Sequence, residues 1–245
     1  MKCLSKKNGE YKKYRDNGRL FAHTFYKDDK IEGENKLWYD NGQLYAHAFY
    51  KDDKLDGEYK EWRYNGQLYI HSFYKDDKKD GEYKKWYDNG QLCIHAFYKD
   101  DKRYGEFKTL YDNGQLCVHS FYKDDKKDGT HKTWYSNGQL SMEICYKDGK
   151  LDGELKSWHD NGQLSVHAFY KYDKLDREYK EWDTNNLLTR TYYIGTNEHK
   201  ISLRKYMSLL YFKNRLRRSY QKKIINTSND FIINDLMSVI ASYIV

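Results

Sequence analysis

The 245-residue chain predicts an all-β repeat array, an extended antiparallel β-meander of about two strands per 24-residue unit, with a short α-helical C-terminal tail. Three observations predict it. Asn-Gly recurs every 24 residues, at Asn17-Gly18, Asn41-Gly42, Asn65-Gly66, Asn89-Gly90, Asn113-Gly114, Asn137-Gly138 and Asn161-Gly162, and degrades to Asn185-Asn186. A second glycine keeps the same period at Gly9, Gly33, Gly57, Gly81, Gly105, Gly129 and Gly153, until Arg177 breaks the series. Between these marks lie two short runs rich in Tyr, Trp, Phe and Ile, such as 58–64 and 68–75, which favour a pleated, half-buried surface. With no insertion or deletion, each unit occupies an equivalent place in a regular array, giving eight units over residues 1–195 and a tail over 196–245.

Asn-Gly is a strong hairpin signal, because a type I′ turn needs positive φ at both positions. The Asp-Asp-Lys-x-Asp-Gly stretch reads as a longer polar turn into the next unit. Two strands and two turns per unit give about sixteen strands, or about 75 Å of sheet at roughly 4.8 Å per strand. Helices are excluded because strong breakers fall about every dozen residues. A two-residue Asn-Gly loop sets Trp62 opposite Tyr69, Lys60 opposite His71 and Glu58 opposite Phe73. The other face then carries Tyr59, Leu68, Ile70, Ser72 and Tyr74, with an aliphatic column Ala46, Ile70, Ile94, Val118, Met142 and Val166. Neither face is dry enough for an ordinary core, so a thin, twisted, solvent-washed sheet is expected.

The composition, with no proline and 27 tyrosines, and the Lys-, Asn-, Tyr- and Ile-rich usage point to an AT-rich genome, bacterial or viral. There is no leader-like segment and no apolar run near 18 residues, so a cytoplasmic protein is expected, with peripheral membrane association as its only membrane role. Cys3, Cys93, Cys117 and Cys145 lack Cys-x-x-Cys spacing and read as free thiols. The net charge of +7 is unevenly placed: residues 196–245 hold nine Lys and Arg against three acids, or +6, leaving 35 basic and 34 acidic residues, or +1, for the repeats.

The stretch Tyr146-Lys-Asp-Gly-Lys-Leu-Asp-Gly153, with Trp158-His-Asp-Asn-Gly-Gln-Leu164, resembles the MORN-variant repeat, a divergent form of the membrane occupation and recognition nexus repeat. The resemblance spans about four fifths of the chain and implies an elongated antiparallel β-meander used for scaffolding or binding. Related repeats are linked to phospholipid or protein contacts, and some bacterial members are labelled antitoxins. Most turns here carry Asp-Asp, as at Asp52-Asp53 and Asp76-Asp77, where the family has Asp-Gly; Asp148-Gly149 keeps the family form. The family supplies no catalytic residue.

The most chemical-looking feature is the histidine column His23, His47, His71, His95, His119 and His167. Zinc needs ligand nitrogens about 2.0–2.1 Å from one ion. Members of this column lie two strands, roughly 10 Å, apart, so they read as cross-strand packing residues, with a pH-responsive column as the other reading. The acidic turns lack the alternating oxygens and flanking helices of a calcium loop. The tryptophan column Trp38, Trp62, Trp86, Trp134, Trp158 and Trp182, interrupted by Leu110, reads as packing against cross-strand Tyr or Phe, or as a ligand platform. Nucleic acid is a poor fit, since a stacking surface wants a basic groove and the repeats are charge-balanced. A residue copied in every unit is poor ground for a catalyst; no cofactor, metal or small-molecule substrate is called for.

The expected function is therefore a non-enzymatic scaffold for protein–protein interaction through an aromatic-rich β surface, with Trp38, Trp62, Trp86, His47, His71 and His95 as the candidate contact residues. In the tail, residues 202–223 read as a basic amphipathic helix, with Leu203, Tyr206, Met207 and Leu210 against Arg204, Lys205, Lys213, Arg215, Arg217, Arg218, Lys222 and Lys223. A second helix is expected around Phe231, Ile233, Leu236, Met237, Ile240 and Ile244. These helices read as a cap on the array. The alternatives are an anionic, phospholipid membrane surface bound by the basic residues, and an antitoxin-like regulator that binds a toxin protein.

Overall fold

The computed structural model describes residues 6–193. The two helices expected in the tail, their basic residues and Cys3 fall outside the described residues. Within them, seventeen strands form one antiparallel sheet in which each strand pairs with the next in the chain, apart from β11 and β12, which both pair with β10. They are β1 (Gly9–Tyr14), β2 (Leu20–Lys27), β3 (Lys30–Trp38), β4 (Leu44–Lys51), β5 (Lys54–Trp62), β6 (Leu68–Lys75), β7 (Lys78–Trp86), β8 (Leu92–Lys99) and β9 (Lys102–Leu110). There follow β10 (Leu116–Lys123), β11 (Lys126–Lys127), β12 (Gly129–Trp134), β13 (Leu140–Lys147), β14 (Lys150–Trp158), β15 (Leu164–Lys171), β16 (Lys174–Trp182) and β17 (Leu188–Tyr193). An interruption at Asp128 divides into β11 and β12 what is one strand in the other units, and β10 pairs with both pieces. That division accounts for the seventeenth strand.

The two turns exchange the roles expected of them. At Asn-Gly the loop has three residues. Arg63 N donates to Gln67 O (2.8 Å), Gly66 N donates to Arg63 O (2.9 Å), and only Gly66 takes positive φ, at 81°. This is a type I turn closed by a glycine bulge. Asn65 instead spends its side chain, whose Oδ1 accepts the Gln67 N–H at 3.0 Å. The tight two-residue turn is Asp-Asp: Lys51 pairs with Lys54, and Asp52 and Asp53 both lie in the left-handed region, at φ 50° and 69°. Aspartate tolerates that region because its short side chain bonds locally.

Each Asp-Asp turn is also a joint. Asp77 N donates to Leu55 O (2.9 Å), and the Asp77 carboxylate accepts the Leu55 N–H (2.8 Å), 22 residues back. The pair recurs at Asp29, Asp53, Asp101, Asp125 and Asp173. Gly149, which has no side chain, keeps only the backbone half, donating to Lys127 O at 2.8 Å. The Asp-Asp departure from the family's Asp-Gly thus adds a hydrogen bond between units.

The opposite rim is joined as well. The residue after each Trp position donates its side chain to the carbonyl 23 residues on. Tyr39 Oη donates to Trp62 O (2.8 Å), Tyr87 Oη to Leu110 O (2.8 Å) and Tyr111 Oη to Trp134 O (2.7 Å). Arg15, Arg63, Tyr135 and His159 do the same.

Two bulges correct the expected register. Lys60 pairs with His71 and Glu58 with Phe73 as expected, but Trp62 lies opposite Leu68 rather than Tyr69, because the three-residue loop shifts the last rung. On the other side of β5, Ala48 pairs with Tyr59 and Tyr50 with Leu55, so Asp56, Gly57 and Glu58 arch over Phe49. Gly57 sits at φ 125°, where an added Cβ would lie 3.0 Å from Phe49 Cβ.

The burial also lies elsewhere than in the expected aliphatic column, of which only Ala46 is buried. The buried row is Thr24, Ala48, Ser72, Ala96, Ser120, Ile144 and Ala168. Most of these residues are small and lie between large neighbours on both flanking strands: Ser72 pairs with Tyr59 and Tyr83, and Ala96 with Tyr83 and Phe107, whereas Thr24 and Ala48 share Asn35, whose Nδ2 donates to Thr24 Oγ1 at 3.0 Å. The rings roof the small side chains, which gives a single-layer sheet a row of dry positions. Where the ring residues shrink, to His131 and Leu155, the residue between them grows to Ile144. At that position the larger residue makes up for the smaller neighbours, as close packing favours.

Candidate interaction surface

Alternation along each strand gives the sheet two different faces. One carries the Tyr row and its buried small residues, with Tyr59 and Tyr74 rings edge-on at 5.8 Å. The other carries Glu58, Lys60, His71 and Phe73 and their equivalents, and is the charged face. Its rungs alternate lysine and histidine from strand to strand: Lys36, His47, Lys60, His71, Lys84, His95 and Lys108 pair in unbroken succession.

Most glutamates on this face lie between a lysine and a histidine; in the last unit Glu178 pairs with Lys180 at 2.9 Å and Thr191 takes the histidine position. Lys60 Nζ lies 2.7 Å from Glu58 Oε1 on the same strand, and His71 Nε2 lies 2.8 Å from that oxygen on the next. The carboxylate only accepts, so the imidazole proton sits on Nε2. The same triplet recurs at Glu82, Glu106 and Glu154. At His23 and His47 the approach is as close, 2.7 and 2.8 Å, but off the axis of a hydrogen bond. The Lys60 ammonium, aided by His71 and opposed by burial, holds the Glu58 carboxyl below its ordinary value. Beneath each imidazole lies a phenylalanine, with His71 and Phe73 ring centres 5.1 Å apart.

One unit rewrites the triplet without losing its balance. Thr130 stands where the other units have Glu, Glu143 stands where they have His, and Lys132 Nζ reaches Glu143 Oε1 at 3.0 Å. The acid has crossed to the neighbouring strand and kept its lysine. Because each of these glutamates has a lysine within its own unit, the rungs are close to neutral.

The candidate residues fall into place on this frame. His47, His71 and His95 occupy successive histidine rungs, half-buried, each flanked by lysines and too far from one another to share an ion. Among the described residues no group of three or more His, Cys, Asp or Glu could hold a metal. Trp38, Trp62 and Trp86 close their strands, half-buried and opposite Leu44, Leu68 and Leu92. The bulge replaces the expected aromatic partner of Trp62 with a leucine. An open depression of about 460 Å³ lies at Trp86, lined also by Arg63, Tyr69, Lys85 and Cys93. There the Arg63 guanidinium stacks 4.1 Å from the Tyr69 ring centre and donates to Trp86 O at 2.9 Å. Cys93, Cys117 and Cys145 are free thiols.

His131 is the residue the column pattern hides. It takes a Tyr position of the other face and is buried. Lys127 Nζ stands 3.3 Å from its Nε2, so Nε2 accepts and Nδ1–H donates to Ser120 Oγ at 2.6 Å. Burial, with Lys127 adding to it, lowers its pKa to about 4, so the ring is neutral at pH 7.

An open antiparallel sheet built from 24-residue hairpins, each joined to the next at both rims, defines a solenoid-like β-repeat protein. The chain belongs to the MORN repeat variant family, whose model matches residues 31–52, 55–76, 79–100, 103–124, 127–148 and 151–172. Each match begins just after one tight turn (Asp-Asp, or Asp148-Gly149) and ends within the next, so the family unit is the hairpin between two joints. No curated protein matches the chain.

Proposed function

We propose that the chain is a non-enzymatic repeat scaffold that binds a protein partner across its charged face. The observation that carries this reading is the triplet ladder. A face whose glutamates, lysines and histidines are already paired presents neutral, half-buried rungs of His, Phe and Trp. Desolvating such rungs costs less than desolvating free charges, and the partner meets the same rung strand after strand. Near-neutrality favours protein over nucleic acid, whose phosphates need excess cations. The test is quantitative capture from cells of the source by the full chain and by variants. Trp62→Ala with Trp86→Ala, or His71→Ala with His95→Ala, should lose a partner that a tail variant with Arg215, Arg217, Arg218, Lys222 and Lys223 all changed to Gln keeps. A partner retained by both face variants would contradict the reading.

A second reading rests on the charge distribution, since +6 of the net +7 lies in residues 196–245. Basic residues contribute about 1 kcal/mol each near an anionic bilayer. Weak binding at most to anionic vesicles is expected at about 0.15 M salt. Tight binding abolished by Arg215→Gln, Arg217→Gln, Arg218→Gln, Lys222→Gln and Lys223→Gln would put the membrane first. The antitoxin-like reading rests on the family resemblance alone.

A further inference from the structure

The two ends of the sheet are not alike. At every unit from Arg15 to His159 the residue after the Trp position donates its side chain to the following unit. At the last unit that residue is Asp183, which cannot donate. Its carboxylate turns inward and accepts the N–H groups of its own loop, from Asn185 and Leu187, at 2.9 Å each. That rim joint is thus closed within its own loop, while β17 itself keeps β16 as its one strand partner among the described residues. Among the described residues the β1 edge is likewise unpaired, and its side chains are the more uniformly exposed. All six residues of β1 are exposed, β2 is its one partner among the described residues, and Tyr11 and Tyr14 are 45% and 55% exposed. Unpaired edges of this kind template pairing with another chain.

The sequence of that edge, Gly9-Glu-Tyr-Lys-Lys-Tyr14, selects its own partner. Consider two copies meeting β1 to β1, antiparallel about a two-fold axis, with their charged faces on the same side. Directly opposed residues must then share a face, so the register centres on a residue. Centred on Glu10, it sets glutamate against glutamate. Centred on Lys12 or Lys13, it sets lysine against lysine. Centred on Tyr11, it sets Glu10 against Lys12 of the other copy, Lys12 against Glu10, and Tyr11 against Tyr11. Glu10 and Lys12 already lie 2.7 Å apart within one strand, with side chains 47% and 41% exposed, so both charges stand at the edge. The Tyr11 ring is held over the opposite face by Lys7 Nζ, 3.6 Å from its centre.

The geometry points to a head-to-head homodimer formed by β1 pairing with β1 of a second copy in the Tyr11-centred register. The interface is isologous and closes at two copies. Opposite charges across a strand pair attract and like charges repel, each by a modest amount; two such pairs set the register.

The test is a charge exchange in the full chain, read by sedimentation velocity over a range of concentrations. The wild type should show a monomer–dimer equilibrium with no larger species. Glu10→Lys alone sets lysine against lysine, and Lys12→Glu alone sets glutamate against glutamate; each should weaken the dimer roughly tenfold or more. An equal mixture of the two variants restores opposite charges at both pairs, and should recover heterodimer near the wild-type affinity. Loss of the pair within a strand cannot produce that recovery. A wild type that is monomeric throughout would overturn the proposal. So would open-ended polymers, which would mean head-to-tail contact, or a dimer indifferent to both substitutions, or a mixture that fails to recover.

Discussion

Ser72 and Ser120 occupy equivalent positions in the buried row, both at 0% exposure, yet their hydroxyls meet different fates. Ser120 Oγ accepts from His131, whereas Ser72 Oγ has no partner. A buried unsatisfied hydroxyl costs about 1–3 kcal/mol, while a satisfied one contributes about 1 kcal/mol. Ser72→Ala, which installs the residue found at Ala48 and Ala96, should therefore stabilise by about 1 kcal/mol. Ser120→Ala should destabilise by a similar amount. Urea denaturation of the two variants checks the opposite signs; matching signs would contradict the assignment. His131 sets a pH dependence of definite direction. Its folded pKa of about 4 lies below the ordinary value of 6.5, so below pH 6.5 the unfolded chain takes up a proton that the folded one refuses. Stability present above pH 6.5 is lost as the pH falls toward 4, by about 2 kcal/mol at pH 5. The difference in unfolding free energy between pH 7 and pH 5 should shrink by that amount in His131→Phe, which carries the residue of Phe107. An unchanged difference would refute the burial of a neutral ring.

At the scale of elements, the joints carry the account. Asp77→Ala removes the acceptor of the Leu55 N–H and an aspartate suited to positive φ; it should cost about 1–2 kcal/mol. Asp77→Asn keeps an acceptor and the left-handed conformation, and should cost a few tenths of that. Equal losses in a denaturation series would show that the carboxylate's hydrogen bond contributes nothing. Much of this level is legible in the sequence. The period, the strand runs and the pairs Lys60–His71 and Glu58–Phe73 follow from spacing and alternation alone. The turn types do not. Asn-Gly suits a two-residue turn in isolation, but here Asn65 bonds to its own loop, and Asp53 takes the tight turn because its partner, Ile31, waits 22 residues away in another strand. A local rule cannot see that partner. The Trp62–Leu68 rung fails for the same reason, since one extra loop residue shifts it. The buried row is not legible in the sequence, because its residues are mostly small and partly polar. They are dry only because neighbouring strands bring large side chains, mostly aromatic, over them, a property of the sheet and not of any strand. The candidate surface was legible as columns of His and Trp; its neutrality was not, because Glu58 is matched by a histidine thirteen residues on.

For the molecule as a whole, the units are interchangeable because each is joined to its predecessor and successor by the same bonds at both rims. Stability is then close to a sum of unit and neighbour contributions. A deletion of residues 81–104 removes one full period and brings Asp80 to Gly105, so that every Asp joint, every Tyr or Arg joint and every triplet finds an equivalent partner. A deletion of residues 81–92 removes half a period and joins Asp80 to Cys93, so that an Asp-Asp rim meets an Asn-Gly rim. The direct measurement is denaturant unfolding of both shortened chains, followed by far-ultraviolet circular dichroism. Cooperative unfolding of the 81–104 deletion from a β spectrum like that of the full chain, with a modestly lowered midpoint, is the predicted result, together with loss of cooperative structure in the 81–92 deletion. If the full-period deletion fails to fold, or the two behave alike, the units are not joined as equivalent modules.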